Sequence, residues 1–199
     1  METRLLPTDH PPQLKLAVDE ASRLLQAGEV VALPTETVYG LAADALNPAA
    51  VAKVFEAKER PSFDPLIVHL SHKKELSTVA EVPDDVAVLI SKLTDRFWPG
   101  ALTIVLPKLP IVPDIVTAGL PSVAVRVSSN SIFKKVGAAA GCPIAAPSAN
   151  RFGSISPTSA SAVMAELEGR IPLVLDGGAS LHGLESTIIK VEAASPKPI

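Results

Sequence analysis

The sequence predicts one layered α/β domain built around a twisted, largely buried sheet. Helical patterns alternate with short apolar runs that are rich in β-branched residues almost throughout the 199 residues. Hydrophobic residues make up 47% of the chain and charged residues 20%, so a core of ordinary size can be buried. Because the sequence shows no internal repeat and no interior linker, we expect a single domain over residues 1–199.

Composition argues against several classes of protein. The formal net charge of −3 and the pI near 5.8 disfavour binding of nucleic acid through a broad basic surface, although a local basic cleft remains possible. The single cysteine, Cys142, cannot form an internal disulfide or a cysteine-rich zinc site, and we interpret it as an inert structural thiol. No apolar run approaches the length of a membrane span and the N-terminus lacks a secretory signal, so we expect a soluble, cytoplasmic protein without membrane contact.

The first predicted elements lead to a polar segment. Apolar residues recur at helical spacing over residues 16–25, and Gly28 lies where the end of that helix is expected. Residues 30–33 form an apolar, β-branched run that predicts a buried strand. Directly after it, the hydroxyls of Thr35 and Thr37 either meet a small ligand at the carboxyl end of the strand or form a threonine-rich turn that caps the next element.

The second predicted helix leads into a segment with two cations. Asn47, followed by proline, is a typical helix start, and the helix should run to about Lys58. Lys58 and Arg60 precede a loop bounded by prolines and a short apolar strand over residues 66–68, with His69 at its end. The segment fits either an anion site or a helix end with favourable basic residues followed by an ordinary loop.

The second half of the chain continues the alternation. Further helices are predicted over residues 83–97, over 131–140 and from about Ser159, and further strands over 101–106, 122–127, 143–146, 173–175 and 186–191. Arg126 is the one cation in its apolar strand, so it needs a partner or a ligand. The loop over residues 147–158 offers hydroxyl, amide and backbone N–H groups, which suit either a nucleotide cradle or a serine-rich surface loop.

Common signatures of nucleotide binding and nucleophilic catalysis are absent from the sequence. Neither a GxxxxGK[ST] loop nor a GxGxxG loop after a strand occurs. No arrangement of serine, histidine and aspartate, or of cysteine and histidine, indicates a nucleophile. A bound nucleotide would therefore need a site of another kind.

Five stretches, in one order along the chain, resemble the YrdC-type threonylcarbamoyl-AMP synthase family. They are residues 33–41 (LPTETVYGL), 58–61 (KERP), 65–69 (PLIVH), 147–150 (PSAN) and 184–187 (LEST). Each stretch is weak alone, but the ordered set is specific, and the resemblance covers the chain from about residue 14 to residue 192. It implies a single YrdC-like α/β domain, with a twisted mixed sheet, helices on its faces and a concave, locally basic cleft.

The resemblance also implies an activity. L-threonylcarbamoyladenylate synthases of this family are nucleotidyltransferases that join L-threonine, bicarbonate and ATP into threonylcarbamoyl-AMP and release pyrophosphate. Transferase proteins downstream then use the product to form N6-threonylcarbamoyladenosine (t6A) at position 37 of tRNA. Mg²⁺ is expected to arrive with ATP, and the resemblance assigns no protein metal ligand.

The family's site residues carry over to this sequence position by position. The residues implied to contact threonine are Thr37, His69, Arg126, Ala146 and Ser186. The residues implied to bind ATP are Lys58, Arg60, Asp64, Ser122, Ser148, Asn150 and Ser156. Lys58 and Arg60 are also the implied catalytic residues, since they would face the phosphates and the developing pyrophosphate.

The chain departs from the family pattern at a few positions. Asp64 stands where asparagine is usual, and a carboxylate near phosphates is unfavourable unless it meets Mg²⁺ or a cation such as Arg60. Ser122 stands in place of threonine and keeps the hydroxyl. The sequence ends at Ile199, where family members continue into an Arg-Pro-Gly segment that helps to hold ATP, and the linker and second domain of longer relatives are expected to be absent.

Two other functions are compatible with the same fold. A double-stranded RNA or tRNA-binding module without synthase activity is less favoured, because the chain is acidic and has few aromatic residues. A carbamoyl-transfer module of hydrogenase maturation proteins also shares the fold, but those modules normally have zinc-binding cysteines nearby and this chain has one cysteine.

Overall fold

The computed structural model describes residues 1–59 and 64–191. Its strands are β1 (Arg4–Pro7), β2 (Val31–Leu33), β3 (Gly40–Asp44), β4 (Ile67–His69), β5 (Leu102–Pro107), β6 (Ser122–Arg126), β7 (Ile144–Ala145), β8 (Leu173–Asp176) and β9 (Thr187–Lys190). Its α-helices are α1 (Pro11–Gln26), α2 (Pro48–Lys58), α3 (Ala87–Phe97), α4 (Asp114–Thr117), α5 (Ser131–Ala140) and α6 (Ala160–Leu167). A short 3-10 helix covers Lys73–Thr78.

The strands within the described residues form one open, mixed sheet in the order β1-β8-β2-β3-β7-β4-β6-β5-β9. The pairs β1–β8, β2–β8, β4–β6 and β5–β9 are parallel, and the remaining neighbours are antiparallel. The predicted α/β class and mixed sheet are thereby confirmed. No helix within residues 1–59 and 64–191 is long and apolar enough to cross a lipid bilayer.

Helices pack on both faces of the sheet and form two hydrophobic clusters. One cluster joins α1 and α5, through residues such as Leu25 and Phe133, to β2, β3, β7 and β8. The larger cluster joins α2, α3, α4 and α6, through residues such as Val54 and Leu167, to the opposite face. The alternation of side chains along each strand supplies apolar groups to both clusters, which explains the nearly continuous apolar runs in the sequence.

The face that carries α1 and α5 continues past these helices over β4 and β6. His69 of β4 is paired directly with Ile144, whose side chain belongs to the α1/α5 cluster, so both side chains point to that face. His69 is also paired with Arg126 of β6, which places the arginine side chain on the same face. The candidate site lies on this part of the sheet.

Several local predictions are confirmed. Asn47 caps α2, because its Oδ1 accepts hydrogen bonds from the backbone N–H groups of Ala49 (3.0 Å) and Ala50 (3.3 Å). Ser159 caps α6. Beyond these two predicted caps, the structure shows Trp98 in the core, with its indole N–H donating to the carbonyl oxygen of Leu102 at 2.7 Å.

The sequence analysis did not predict β1 or β3, and it began α3 too early. Residues Gly40–Asp44 of β3 contain no β-branched or aromatic side chain, so their strand conformation comes from pairing with β2 and β7. β1 is an edge strand that pairs only with β8 in the described sheet. The residues before Ala87 form turns, and Phe97, the last residue of α3, is half exposed.

Candidate active site

Arg126 ends β6, and only 2% of the residue is exposed. Its Nε donates to the carbonyl oxygen of Gly100 at 3.1 Å, and its Nη1 donates to Thr37 Oγ1 at 3.0 Å. Its Nη2 lies 2.7 Å from Glu36 Oε1, so the two residues form a buried ion pair, although this contact lacks the angle of a hydrogen bond. The predicted need of Arg126 for a partner is met by Glu36.

The hydroxyl of Thr37 contacts two residues of the cluster. Thr35 Oγ1 lies 2.8 Å from Thr37 Oγ1 and donates its own hydrogen to the carbonyl oxygen of Val38 at 2.6 Å. Arg126 already occupies one acceptor position of Thr37 Oγ1. Thr37 Oγ1 is therefore held between Thr35 and Arg126 at the edge of the cluster. The turn interpretation is correct for Thr35, whose hydroxyl also accepts the backbone N–H groups of Thr37 and Val38.

Glu36 is the residue of this cluster to which sequence analysis gave no role. It is 4% exposed, and its Oε2 accepts a hydrogen bond from the hydroxyl of Ser128. Burial alone would raise the pKa of Glu36, but the charge of Arg126 and the hydrogen bond from Ser128 lower that pKa to about 2. Glu36 is therefore a carboxylate at neutral pH. A signal was present in the sequence, since a buried arginine calls for a buried acid and Glu36 lies beside Thr37 in the first motif.

His69 is a neutral member of the same cluster. It is 3% exposed, and the centroid of its ring lies 4.9 Å from that of Phe133 on α5. Burial, and then the charge of Arg126, lower the pKa of His69 to about 3, so the ring is uncharged at neutral pH. Its Nδ1 is buried and has no hydrogen-bond partner among the described residues, which leaves this atom for a ligand.

Lys58 connects the end of α2 to the loop over residues 147–158. The residue is 1% exposed, and its Nζ donates to the carbonyl oxygens of Ser148 and Asn150. The side-chain amide of Asn150 donates in turn to the carbonyl oxygen of Ser154 at 2.7 Å. The structure thus brings together three of the predicted ATP residues, and it shows that Lys58 also fixes the loop.

A cavity of about 360 Å³ lies beside this loop, on the same face of the sheet. Its floor includes Ala124 of β6, and three predicted ATP residues line it: Asp64, Ser122 and Ser148. Glu185 also lines the cavity, although the sequence analysis did not single it out. Sequence alone therefore identified most of the polar groups around a cavity that only the fold assembles.

Three further predicted residues lie around these groups. Ser156 Oγ donates to Glu185 Oε1 at 2.6 Å, which places Ser156 next to the cavity. Ser186 Oγ lies 2.7 Å from the hydroxyl of Thr103 on β5. Ala146 is buried, and its backbone N–H donates to the carbonyl oxygen of the first residue of β4 at 3.0 Å.

The cavity and the arginine cluster lie at opposite ends of β6. Ser122 begins the strand, Arg126 ends it, and Ala124 lies between them. Alternate residues of a strand point to the same side, so the three side chains form one strip. Four residues of strand span roughly 13 Å, which is the scale of one extended small-molecule ligand.

Two expectations from the resemblance are not resolved by this geometry. Arg60 lies outside the described residues. The basic cleft is not confirmed, because the described lining of the cavity contains the carboxylates of Asp64 and Glu185 and no lysine or arginine. Within residues 1–59 and 64–191 no three His, Cys, Asp or Glu residues come together in a way that could hold a metal ion.

Comparisons with known proteins agree with the resemblance. The family model Sua5_yciO_yrdC, described as "Telomere recombination", matches residues 23–199. A threonylcarbamoyl-AMP synthase of Pyrococcus abyssi is 45% identical over 177 residues, which cover 88% of this chain and 51% of that protein. A threonylcarbamoyl-AMP synthase of Bacillus subtilis is 46% identical over 173 residues, which cover 86% of this chain and 49% of that protein. This chain thus spans about half the length of these relatives.

A solved structure of a related protein has a similar fold. The crystal structure of P. abyssi Sua5 complexed with L-threonine matches this fold with a TM-score of 0.87 and 41% sequence identity. The match covers 96% of this chain and 54% of that one.

Proposed function

The chain belongs to the Sua5/YciO/YrdC family, and on this premise we propose that it forms L-threonylcarbamoyl-AMP and pyrophosphate from L-threonine, bicarbonate and ATP. Relatives at 45% and 46% identity are named threonylcarbamoyl-AMP synthase, and one relative was solved with L-threonine. The observation that carries the proposal is the strip along β6, with a cavity at one end and a buried arginine cluster at the other. A nucleotidyltransferase of this kind must bind an amino acid and a nucleotide side by side, and the strip suits both.

The arginine cluster suits L-threonine. A guanidinium binds a carboxylate through charge-assisted hydrogen bonds, so Arg126 is the group for the substrate carboxylate. The hydroxyl of Thr37, which lies against Arg126, would contact a polar group of the substrate. The neutral ring of His69 offers its buried Nδ1, and Ser186 and the backbone at Ala146 would complete the subsite.

The cavity suits the adenosine and phosphates of ATP. Its volume of about 360 Å³ lies within the usual range of small-molecule sites, about 300–1,000 Å³. Asp64, Ser122 and Ser148 line it, with Asn150 and Ser156 beside it. In the proposed arrangement Lys58 and Arg60 face the phosphates and stabilise the charge that develops on pyrophosphate.

The proposed reaction has two bond-forming steps. The threonine nitrogen forms a bond to the carbon of bicarbonate, and water leaves to give a carbamate. A carbamate oxygen then attacks the α-phosphorus of ATP, and the bond from that phosphorus to the bridging oxygen of pyrophosphate breaks. Positioning of the two reactants and stabilisation of negative charge are the contributions expected from the protein.

Mg²⁺ fits the proposed nucleotide site as a companion of ATP. The ion takes oxygen ligands, mostly from phosphates and water with one or two carboxylates, and it neutralises phosphate charge. Asp64 and Glu185 are the carboxylates that line the cavity and could share it. This interpretation gives Asp64 a role that suits its negative charge.

The product would pass to other proteins. In the proposed pathway, t6A-transferase proteins move the threonylcarbamoyl group to tRNA, and the reaction takes place in the cytoplasm. A direct contact of this chain with tRNA is a weaker proposal, because the net charge of −3 gives little general attraction to RNA.

Pyrophosphate release tests the proposed function. The protein is incubated with ATP, bicarbonate and Mg²⁺, with and without L-threonine, and threonylcarbamoyl-AMP is identified by mass spectrometry. We expect pyrophosphate only when threonine is present, and we expect Lys58→Ala and Arg126→Ala each to lower turnover at least about a hundredfold, the scale of one lost electrostatic stabiliser. Absence of threonine-dependent release at saturating substrates, or wild-type rates in both variants, would contradict the assignment.

A further inference from the structure

The buried cluster contains a carboxylate that the proposed function does not use. Glu36 lies against Arg126, with Oε1 and Nη2 at 2.7 Å. The other two contacts of the guanidinium are with neutral oxygens, the carbonyl of Gly100 and the hydroxyl of Thr37. Glu36 is therefore the one charged partner of Arg126 within the described residues.

Glu36 is itself fixed from the other side. Its Oε2 accepts the hydroxyl of Ser128, which is fully buried two residues beyond β6. Ser128 Oγ also accepts the backbone N–H of Asn130, the residue that caps α5. The orientation of the carboxylate is thus linked, through Ser128, to the backbone at the start of α5.

We propose that Glu36, held by Ser128, is a positioning residue that orients the guanidinium of Arg126 for the carboxylate of threonine. This inference rests on the proposed function. A long arginine side chain has many rotamers, and a bound carboxylate needs its N–H groups to within about 0.5 Å and 10–20° of the productive geometry. Contacts on three sides of the guanidinium select one orientation of that group. The contact with Glu36 is the charged one of the three.

The negative charge of Glu36 also has an effect on threonine binding that opposes its positioning role. The charge of Glu36 weakens the net attraction between the cluster and a substrate carboxylate, so its removal could tighten threonine binding. Two substitutions separate the effects. Glu36→Gln removes the charge but keeps a side-chain oxygen beside Arg126, whereas Glu36→Ala removes the contact altogether.

The test compares Michaelis constants for the two substrates. For Glu36→Ala we expect the threonine KM to rise about tenfold or more and the ATP KM to stay within about twofold, because the cavity lies at the other end of β6. For Glu36→Gln we expect the threonine KM to stay within about threefold of wild type. A threonine KM that falls in either variant, or that does not change in Glu36→Ala, overturns the proposal.

Removal of one partner from a buried ion pair can prevent folding, so Ser128→Ala is the second variant. It leaves the pair intact but releases one carboxylate oxygen, and we expect a threonine KM at least about threefold above wild type with an unchanged ATP KM. Equal rises for both substrates, or no rise, would overturn the positioning role.

The matched control is Glu20→Gln on α1. Glu20 also pairs with arginines, Arg4 and Arg23, and its pKa is likewise lowered to about 2, but it lies on the surface of α1 with 22% of its side chain exposed. We expect wild-type constants for this control. Threonine-dependent pyrophosphate release by wild type with unaltered constants in the Glu36 and Ser128 variants overturns this inference alone, whereas its absence in wild type overturns the proposed function.

Discussion

At the scale of single residues, burial decides which charge states the site can use. Glu36 keeps its negative charge because it lies against Arg126, while His69 beside them loses its charge. The cluster therefore has one positive and one negative group and a neutral ring. The charges of Glu36 and His69 stay constant around neutral pH, because neither group titrates there.

The buried histidine predicts a pH dependence of stability. His69 has an ordinary pKa of 6.5 when unfolded and a pKa of about 3 when folded, so the unfolded chain binds more protons between these values. Acidification from pH 7 to pH 5 should therefore lower the free energy of unfolding, by about 2 kcal/mol from this residue. Urea unfolding at pH 5, 6 and 7 measures the effect.

The control for this prediction is His69→Asn, which cannot titrate. Its unfolding free energy should depend less steeply on pH than that of wild type over the same range. The range stays above pH 4.5, because below it Glu36, with a pKa lowered to about 2, loses stabilisation in the same direction. Equal slopes for the two proteins would contradict the burial of a neutral His69.

The sequence predicted which residues lie near each other better than it predicted their contacts. Thr37 and His69 lie in the ordered motifs and Arg126 was noted as the cation of an apolar strand, and the structure brings the three into one cluster. The contact of Lys58 with backbone carbonyls of the 147–158 loop was not foreseen. Motif positions report residue type, whereas partners more than 80 positions away depend on how the strands are ordered in the sheet.

At the scale of elements, local signals were reliable where they have a local cause. The N-cap at Asn47 was predicted because its hydrogen bonds join residues two and three positions apart. β3 was missed because its strand conformation depends on two neighbours that are distant in sequence or separated by a turn. Because β3 begins within the first motif, the position of Glu36 in the fold could not be derived from the sequence.

The cap of α2 predicts a modest and purely structural effect. Asn47→Ala should lower the free energy of unfolding by about 1 kcal/mol, which corresponds to a fall in Tm of about 2–4 °C for a chain of this size. Asn47→Asp keeps an oxygen that can cap the helix and should remain close to wild type. Thermal unfolding followed by circular dichroism makes the comparison, and equal melting temperatures for Asn47→Ala and wild type would refute the cap's contribution.

At the scale of the whole molecule, the sheet is divided into two parts on one face. α1 and α5 cover β2, β3, β7 and β8, whereas the strip on β4 and β6 borders a cavity. The same twisted sheet thus provides both a hydrophobic core and a site floor. The alternation of helical patterns with short apolar runs predicted the sheet. That pattern could not predict which part of a sheet face a helix would cover.

The floor of the cavity gives a test at this scale. Ala124 lies between the two ends of the strip, so Ala124→Leu should fill part of the cavity and raise the ATP KM about tenfold or more. The fold should persist, because the added atoms enter a cavity and not the packed core. Steady-state kinetics and thermal unfolding measure the two effects.

The control for this substitution is Ala52→Leu, the same change on an exposed position of α2. It should leave the Michaelis constants unaltered. If Ala124→Leu shows the same ATP KM as this control, the cavity is not the nucleotide site.

The wide sequence separation of the contacts in the site has a consequence for folding. Thr37 and Arg126 are 89 positions apart, Glu36 and Ser128 are 92 apart, and Lys58 and Asn150 are 92 apart. Each contact closes a long loop, whose entropic cost is recovered only when the intervening strands have paired. The site is therefore a late product of folding, and no fragment that lacks either half of the sheet can contain it.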